Sequence, residues 1–287
     1  MKSLCVAKIG FLLLLLAACQ TAPTAPARTA TVLMIPEISE TAKPSQTQPA
    51  APTQTGTAVP PPICSPLEGF SHADLLARVS NPFDPPEPGS DNPHQGVDLG
   101  DFDPADASRV AVPGRTVQAA LPGRVALIQT DRFPYGTAII IETPLDALPA
   151  TLHQQFATLP PWPPRPATDP LTCPTVDPTK TALSLPKPDQ EGRSLYILYA
   201  HLGSMADIQV GDAVECGQAL GTVGQSGNAL APHLHFEARV GPAGVQLGSL
   251  AHYDVSASVP EMAAYCLWRV SGSFVWVDPL LLLQDLP

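Results

Sequence analysis

The sequence has few positive charges and few aromatic residues. Lysine and arginine total 15 against 26 acidic residues, the formal net charge is −11, and aromatic residues make up 6%. Proteins that bind nucleic acid or anionic lipid by charge need a basic surface, so this acidic chain argues against both kinds of partner. No two cysteines have CxxC spacing. A zinc site built from cysteines is therefore disfavoured.

The sequence also lacks an apolar run long enough to cross a bilayer comfortably. The N-terminal run at 9–16 follows Lys2 and Lys8 and is short, so residues 1–19 are predicted to be an export signal. The signal ends in LAAC, which resembles the lipobox of bacterial lipoproteins and implies a lipid anchor at Cys19. We expect an exported protein of the cell envelope, anchored to the outer face of a bacterial membrane. A plain secretory signal or a transmembrane anchor is the alternative.

Residues 20–62 contain almost no aromatic and few charged residues and are rich in Pro, Thr, Ala and Gln. Such a segment cannot bury a core, and it is predicted to be a disordered tether. Residues 63–287 remain, which is enough for one domain. This region has an even number of cysteines, so in an oxidising compartment we expect up to two disulfides, with three possible pairings. They are Cys64, Cys173, Cys216 and Cys266.

No long amphipathic helix is evident in this region, and its strongest patterns are short runs rich in β-branched and aromatic residues. The best helical candidates are the short segments 74–79 and 145–159. Parallel strands would need helical crossovers, so the predicted fold class is mainly β, with an antiparallel sheet core. The predicted strands, bounded by glycine and proline, include residues 123–130, 136–142, 194–201 and 274–277.

Two of the seven histidines lie two positions apart in the run APHLHFEARV. In a strand, residues i and i+2 point to the same face, so His233 and His235 are expected side by side. Leu234 and Phe236 then face the core. An HxH pair is a weak signal by itself, because histidines are common on polar sheet faces.

Three more residues strengthen this signal. HQGVD contains His94 and Asp98, and LYAHL ends an apolar strand with His201. Imidazole and carboxylate are the ligands of catalytic zinc, which usually takes three of them and keeps an open position. The two surplus groups suit a hydrolytic site, which must also handle protons and developing charge. The other histidines, which lack partners of this kind, are interpreted as surface or structural: His72, His153 and His252.

HQGVD together with YAHLGSMADIQVGDAVECGQALGTVGQSGNALAPHLHFE resembles the M23 family of lysostaphin/LytM-type zinc metallopeptidases. That family has HxxxD, a lone histidine at a strand end, and a terminal HxH. The resemblance implies the lysostaphin/LytM-type antiparallel sheet and one Zn²⁺ per chain, with His94, Asp98 and His235 as ligands. It also implies that His201 and His233 are catalytic. One would transfer the proton of the attacking water to the leaving amine and the other would stabilise the oxyanion, and the sequence does not assign these roles.

Two insertions depart from the family pattern, whose motif core spans residues 94–240. The first, at about 143–193, is rich in proline and is either a decorative excursion or a groove wall that offers Trp162 for stacking. The second, at about 241–272, would be tied to the core if Cys64 or Cys173 pairs with Cys266. Asp84 and Asp91, shortly before His94, are acids near the expected metal site, but a solvated turn explains them equally well, and they are not assigned to the site.

The predicted function is a zinc endopeptidase that acts on the peptide part of bacterial peptidoglycan. The substrate class follows from the resemblance and from the predicted export. The alternative is a non-catalytic or latent LytM-like envelope factor that regulates other cell-wall hydrolases. Such relatives lack one or more of the five polar residues, and all five are present here. A zinc-storage lipoprotein would prefer a closed site with four ligands.

Overall fold

A computed structural model describes residues 63–87, 89–160, 171–174 and 192–284. The predicted export signal with Cys19, the tether at 20–62 and Trp162 lie outside these residues. Within the described part of the chain, no helix has the length and apolar character needed to cross a bilayer.

Short strands dominate the described residues, and the predicted strands are present. The two helical candidates correspond to a short helix and to a 3-10 turn followed by a helix. The strands are β1 (Val79–Asn81), β2 (Val97–Leu99), β3 (Thr116–Gln118), β4 (Gly123–Arg132), β5 (Gly136–Pro144), β6 (Arg193–Ala200), β7 (Leu202–Met205), β8 (Ala213–Val214), β9 (Ala219–Val223), β10 (Leu234–Pro242) and β11 (Val275–Val277). The helices are α1 (His72–Leu76), α2 (Ala150–Ala157) and α3 (Val259–Arg269), with 3-10 turns at Leu145–Ala147 and Pro279–Leu282.

The strands form one large and one small sheet, and every strand pairing is antiparallel. The large sheet has the order β1-β2-β10-β6-β5-β4-β8, and β11 also pairs with β10. The small sheet has the order β3-β9-β7. The prediction of a mainly β fold with an antiparallel core is confirmed.

Strand β10 presents an apolar row to one side and a polar row to the other, as its alternating sequence predicts. Leu234, Phe236 and Ala238 belong to the main hydrophobic core. The polar row is also buried: His235 is 5% exposed, and Glu237 and Arg239 are fully covered. Charged side chains are rarely buried without partners, so this polar row must be satisfied within the fold.

The second insertion covers this face of the sheet and builds a second core there. Tyr265 and Trp268 of α3 pack in one cluster with Tyr196 and Leu198 of β6. The sequence patterns above did not indicate α3. Its N-terminus has a capping box, in which Ser258 caps the backbone N–H of Glu261 and the Glu261 side chain accepts from the N-cap backbone. The second insertion is therefore a structural layer of the domain.

Two disulfides are present, which confirms the predicted number and selects one of the three pairings. Cys64 pairs with Cys216, and Cys173 pairs with Cys266. The second bridge joins residues 171–174 of the first insertion to α3 in the second. The two insertions are thus tied to each other beside the sheet.

Candidate active site

The pairing of β2 with β10 brings together residues that are far apart in the chain. His235 lies directly opposite Asp98 in this register. Nδ1 of His235 is 2.9 Å from Oδ1 of Asp98, and Nε2 of His94 is 3.1 Å from each of these two atoms. The predicted group of His94, Asp98 and His235 is therefore assembled. Each residue offers one potential ligand atom, and these atoms lie within 4.8 Å of one another.

The remaining nitrogen of each histidine in this group faces a hydrogen-bond acceptor. Nδ1 of His94 lies 2.8 Å from the carbonyl oxygen of Pro82, and Nε2 of His235 lies 3.2 Å from Oε2 of Glu237. A carbonyl or an ionised carboxylate can only accept, so each ring donates its N–H outward when it is neutral. Its lone pair then points into the cluster. This is the arrangement usually found around metal-bound histidine.

The buried charges around the cluster favour a cation at its centre. Burial would raise the pKa of the Glu237 carboxyl, but Arg239, His235 and Arg269 together lower it, so Glu237 is ionised. Burial likewise opposes ionisation of Asp98, yet hydrogen bonds from His235 and His94 hold its pKa well below the usual range.

His235 lies between these two carboxylates. Burial lowers its pKa, but the hydrogen bonds to Asp98 and Glu237 outweigh burial and raise the pKa to about 9. A metal ion bound by the inward lone pairs would replace this proton. Two imidazole nitrogens and a carboxylate oxygen are the donor set that suits zinc, so the residues fit that ion.

His201 and His233 lie beside this group, as the HxH alternation predicts for His233. His201 directly follows β6 and has a φ of 62°, which is uncommon for a residue other than glycine. The His201 and His233 rings are 4.8 Å apart, and the His201 and His235 rings are 5.8 Å apart. All five predicted site residues therefore meet in one place.

The backbone fixes the orientation of both of these rings. Nδ1 of His201 is 2.8 Å from the carbonyl oxygen of Ser226, and Nδ1 of His233 is 2.8 Å from that of Ala231. Each neutral ring therefore carries its proton on Nδ1 and leaves Nε2 as an acceptor. Burial, with the nearby His235 and His233, lowers the pKa of His201 to about 3, so this imidazole is neutral near pH 7.

The five residues line an open cleft of about 690 Å³. Asn81, Leu230 and Tyr253 also line it. Among the described residues, the remaining histidines do not line this cleft. His252 is buried, with Nε2 2.8 Å from the carbonyl oxygen of Thr172, which fits the structural interpretation.

Three features behind the histidines were not predicted from the sequence. Asp91 is 7% exposed and forms an ion pair with Arg269, so the solvated-turn explanation is wrong for this residue. Glu237 was missed as a partner of His235, although it continues the i, i+2 polar row of β10. The contact of Arg269 with this group had no sequence signal, because it depends on how α3 packs.

No curated protein is similar enough in sequence to match the chain. Among solved structures, the chain is similar to the catalytic domain of lysostaphin from Staphylococcus simulans, an antimicrobial peptidase. The identity is 17%, the coverage is 72% of this chain and 91% of that chain, and the TM-score is 0.34. It is similar to a catalytic-domain mutant of the prophage-encoded M23 protein EnpA from Enterococcus faecalis, with 19% identity, 64% and 87% coverage and a TM-score of 0.32. A zinc-containing peptidase from Vibrio cholerae has 17% identity, 56% and 32% coverage and a TM-score of 0.30.

The family comparison concerns the part of the chain that carries most of the site. Residues 189–247 match the model of peptidase family M23. This segment includes β6 and β10, and it supplies His201, His233, His235 and Glu237. The resemblance to peptidase family M23 is confirmed over this segment.

Proposed function

We propose that this protein is a zinc-dependent endopeptidase that hydrolyses peptide bonds in bacterial cell-wall peptidoglycan. One observation carries the proposal. His94, Asp98 and His235 each place one potential ligand atom in the same cluster, and two further imidazoles lie beside it in an open cleft. The match to a peptidase family supports the reaction class. The choice of peptidoglycan rests on the motif resemblance and on the predicted export.

In this proposal His94, Asp98 and His235 hold one zinc ion. Zinc would supply Lewis acidity and lower the pKa of a coordinated water to about 7. The protein's contribution is orientation, because Pro82 and Glu237 accept from the outer nitrogens of the two histidines. Fixed rings keep the inward lone pairs aimed at one point, which limits the reorganisation needed to bind the ion.

We assign the proton acceptor to His201 and the oxyanion donor to His233. The contact of His201 with Ser226 leaves its Nε2 without a proton, so this atom can accept one from the attacking water and pass it to the leaving amine. Nε2 of His233 lies beside the cluster, 3.5 Å from Oδ1 of Asp98. When Nε2 of His233 carries a proton, it can donate to the developing oxyanion.

The test is digestion of purified peptidoglycan by the unit that begins near Gly56, with zinc content measured for each variant. His201→Ala should keep its zinc and release no new peptide termini, whereas His235→Ala should lose both zinc and cleavage. His153→Ala, which changes an exposed histidine on α2, is the matched control and should behave like the parent. Mass spectrometry of the released fragments would identify the bond that is cut.

Two results would argue against the proposal. Zinc in the parent without cleavage of any peptidoglycan would favour the latent or regulatory alternative. Cleavage that persists in His201→Ala would contradict the role assigned to this residue.

We also propose that the protein is exported and anchored through a lipidated Cys19. Two disulfides are typical of exported proteins and support the first part. The LAAC sequence supports the second part. Cys19→Ser should move the protein from the membrane fraction to the soluble envelope fraction, and an unchanged distribution would contradict the anchor.

A further inference from the structure

We propose that Arg269, at the end of α3, is a positioning residue for the candidate metal centre. It would hold Glu237 behind His235 and, at the same time, the chain segment that leads to His94. This inference rests on the proposed function, because it concerns how the residues of the same metal site are held in position. Arg269 lies outside residues 189–247, the segment that matches the family model.

The first connection runs from Arg269 through Glu237 to His235. Nη1 of Arg269 lies 3.5 Å from Oε2 of Glu237, and the same oxygen lies 3.2 Å from Nε2 of His235. Tyr135 adds a third contact, since its hydroxyl donates to Oε2 over 2.8 Å and accepts from Nη1 of Arg269 over 3.1 Å. Arg269 therefore acts on Glu237 both directly and through Tyr135.

The second connection runs from Arg269 to the other side of the site. Its Nε donates to Oδ1 of Asp91 over 2.5 Å, and its Nη2 donates to the backbone carbonyl of Asp91 over 2.8 Å. Asp91 stands three residues before His94. Tyr253 and Tyr265 each donate to its other carboxylate oxygen over 2.8 Å. The segment that leads to His94 is thus bound to α3.

These contacts use all three nitrogens of one guanidinium group. Nε and Nη2 hold Asp91, and Nη1 faces Tyr135 and Glu237. The side chain is only 9% exposed, so water cannot easily replace a lost partner. A lysine at this position keeps the charge but has one nitrogen, and it cannot reach both sides of the site with this geometry. Arginine is therefore required for the connection.

A second arginine provides a control variant. It distinguishes a role in positioning the metal ligands from a general role in stabilising α3. Arg132 at the end of β4 also holds this helix, through an ion pair of 2.7 Å between its Nη2 and Oε2 of Glu261. Glu261 lies in the first turn of α3, whereas Arg269 is its last residue. Arg132→Gln should therefore loosen the helix without removing a partner of Glu237 or Asp91.

The experiment compares the parent, Arg269→Gln, Arg269→Lys and Arg132→Gln. Zinc affinity is measured by competition with a chelator, the ligand geometry by the visible absorption of bound Co²⁺, and folding by circular dichroism. Loss of an outer partner of a metal-bound histidine typically costs 10–100-fold in affinity. Because Arg269→Gln leaves Glu237 in place and removes only its support, we expect a loss near the lower end of this range, about tenfold, a smaller loss for Arg269→Lys and a shifted Co²⁺ spectrum for both. Arg132→Gln should stay within about twofold of the parent, since it leaves these partners in place.

The outcomes distinguish failure of the proposed function from failure of this inference alone. A parent that binds no zinc would overturn the proposed function and the inference together. A parent that binds zinc, with Arg269→Gln folded and unchanged in affinity and spectrum, would overturn the inference alone. Equal losses in Arg269→Gln and Arg132→Gln would also overturn it, because Arg269 would then be only an anchor of the helix. If Arg269→Gln does not fold, Arg269→Lys decides by the same criteria.

Discussion

Gly96 lies against the imidazole ring of His235 with no room for a side chain between them. A β-carbon at position 96 would stand 2.8 Å from Cε1 of His235 and 2.8 Å from the carbonyl oxygen of Phe236. The glycine of HQGVD is therefore needed for close packing of the two strands. It lets β2 approach β10 closely enough for Asp98 to meet His235.

We predict that Gly96→Ala damages the metal site more than the fold. The added carbon must push the His235 ring or the β10 backbone aside, and overpacking of this kind typically costs about 1–3 kcal/mol of unfolding free energy. Zinc affinity should fall by at least tenfold, since the ring can no longer keep its position. Urea unfolding and chelator competition would measure the two effects.

The matched control is Gly248→Ala, where the nearest atom to an added β-carbon is 3.9 Å away. This variant should bind zinc like the parent. Full zinc affinity in Gly96→Ala would show that the close approach has no part in holding His235.

Removal of the metal should lower thermal stability. A ligand that binds only the folded state at 100 times its dissociation constant stabilises that state by about 2.7 kcal/mol. For a domain of this size that corresponds to roughly 5–10 °C in Tm. Calorimetry with zinc and with excess chelator should show this difference in the parent. A zinc-dependent shift of the same size in His94→Ala would contradict the ligand assignment.

Ser226→Ala should slow catalysis without removing the metal. The Ser226 hydroxyl accepts from the backbone N–H of Thr137 over 2.9 Å and donates to the carbonyl of Leu202 over 2.9 Å. These bonds fix the backbone whose carbonyl accepts from Nδ1 of His201. We expect a drop in kcat of roughly tenfold with unchanged zinc content, because a loosened His201 is less well placed to accept a proton. A variant with normal kcat would separate this contact from catalysis.

Acid should destabilise the protein partly through Asp91. Burial would raise its pKa, but Arg269, Tyr265 and Tyr253 hold the pKa below the ordinary value of 3.8. A lowered pKa means that Asp91 stabilises the fold fully above about pH 4, and that this stabilisation is lost as the pH falls through the pKa of the folded state. Asp91→Asn removes this contribution at every pH.

The measurement is the unfolding free energy in urea between about pH 7 and pH 3. At pH 7 Asp91→Asn should be less stable than the parent by about 3–5 kcal/mol, as expected when one partner of a buried ion pair is removed. The difference should narrow at pH 3, so the variant has the shallower pH profile. Asp207→Asn, at an exposed position, should follow the parent. Parallel profiles for the parent and Asp91→Asn would contradict the assignment.

Many of the residues that line the cleft could be predicted from local sequence. Alternation in APHLHFEARV predicts that His233 and His235 share one face, and the strand predicted at 194–201 ends in His201. The HxxxD spacing keeps His94 near Asp98 in the chain. These features depend on neighbours a few positions apart, so a periodic pattern reveals them.

Most of the residues that lie behind the histidines could not be predicted in this way. Glu237 continues the i, i+2 polar row of β10, but Asp91 and Arg269 are distant in the chain, and no periodic pattern connects them to it. The capping box of Ser258 and Glu261 could have indicated α3, but not the face of the sheet on which it packs. The disulfide pairing was open for the same reason, since four cysteines allow several pairings and only spatial proximity chooses among them.

Local sequence patterns are therefore enough to predict the antiparallel β architecture and the five polar residues in the cleft. Alternation, turn residues and ligand chemistry are all local properties of the chain. Three contacts depend on long-range packing: His235 faces Asp98, Glu237 accepts from the His235 ring, and Arg269 contacts both sides of the site. These contacts form because burial removes water from charged groups, and each buried charge then has to find its partner within the protein.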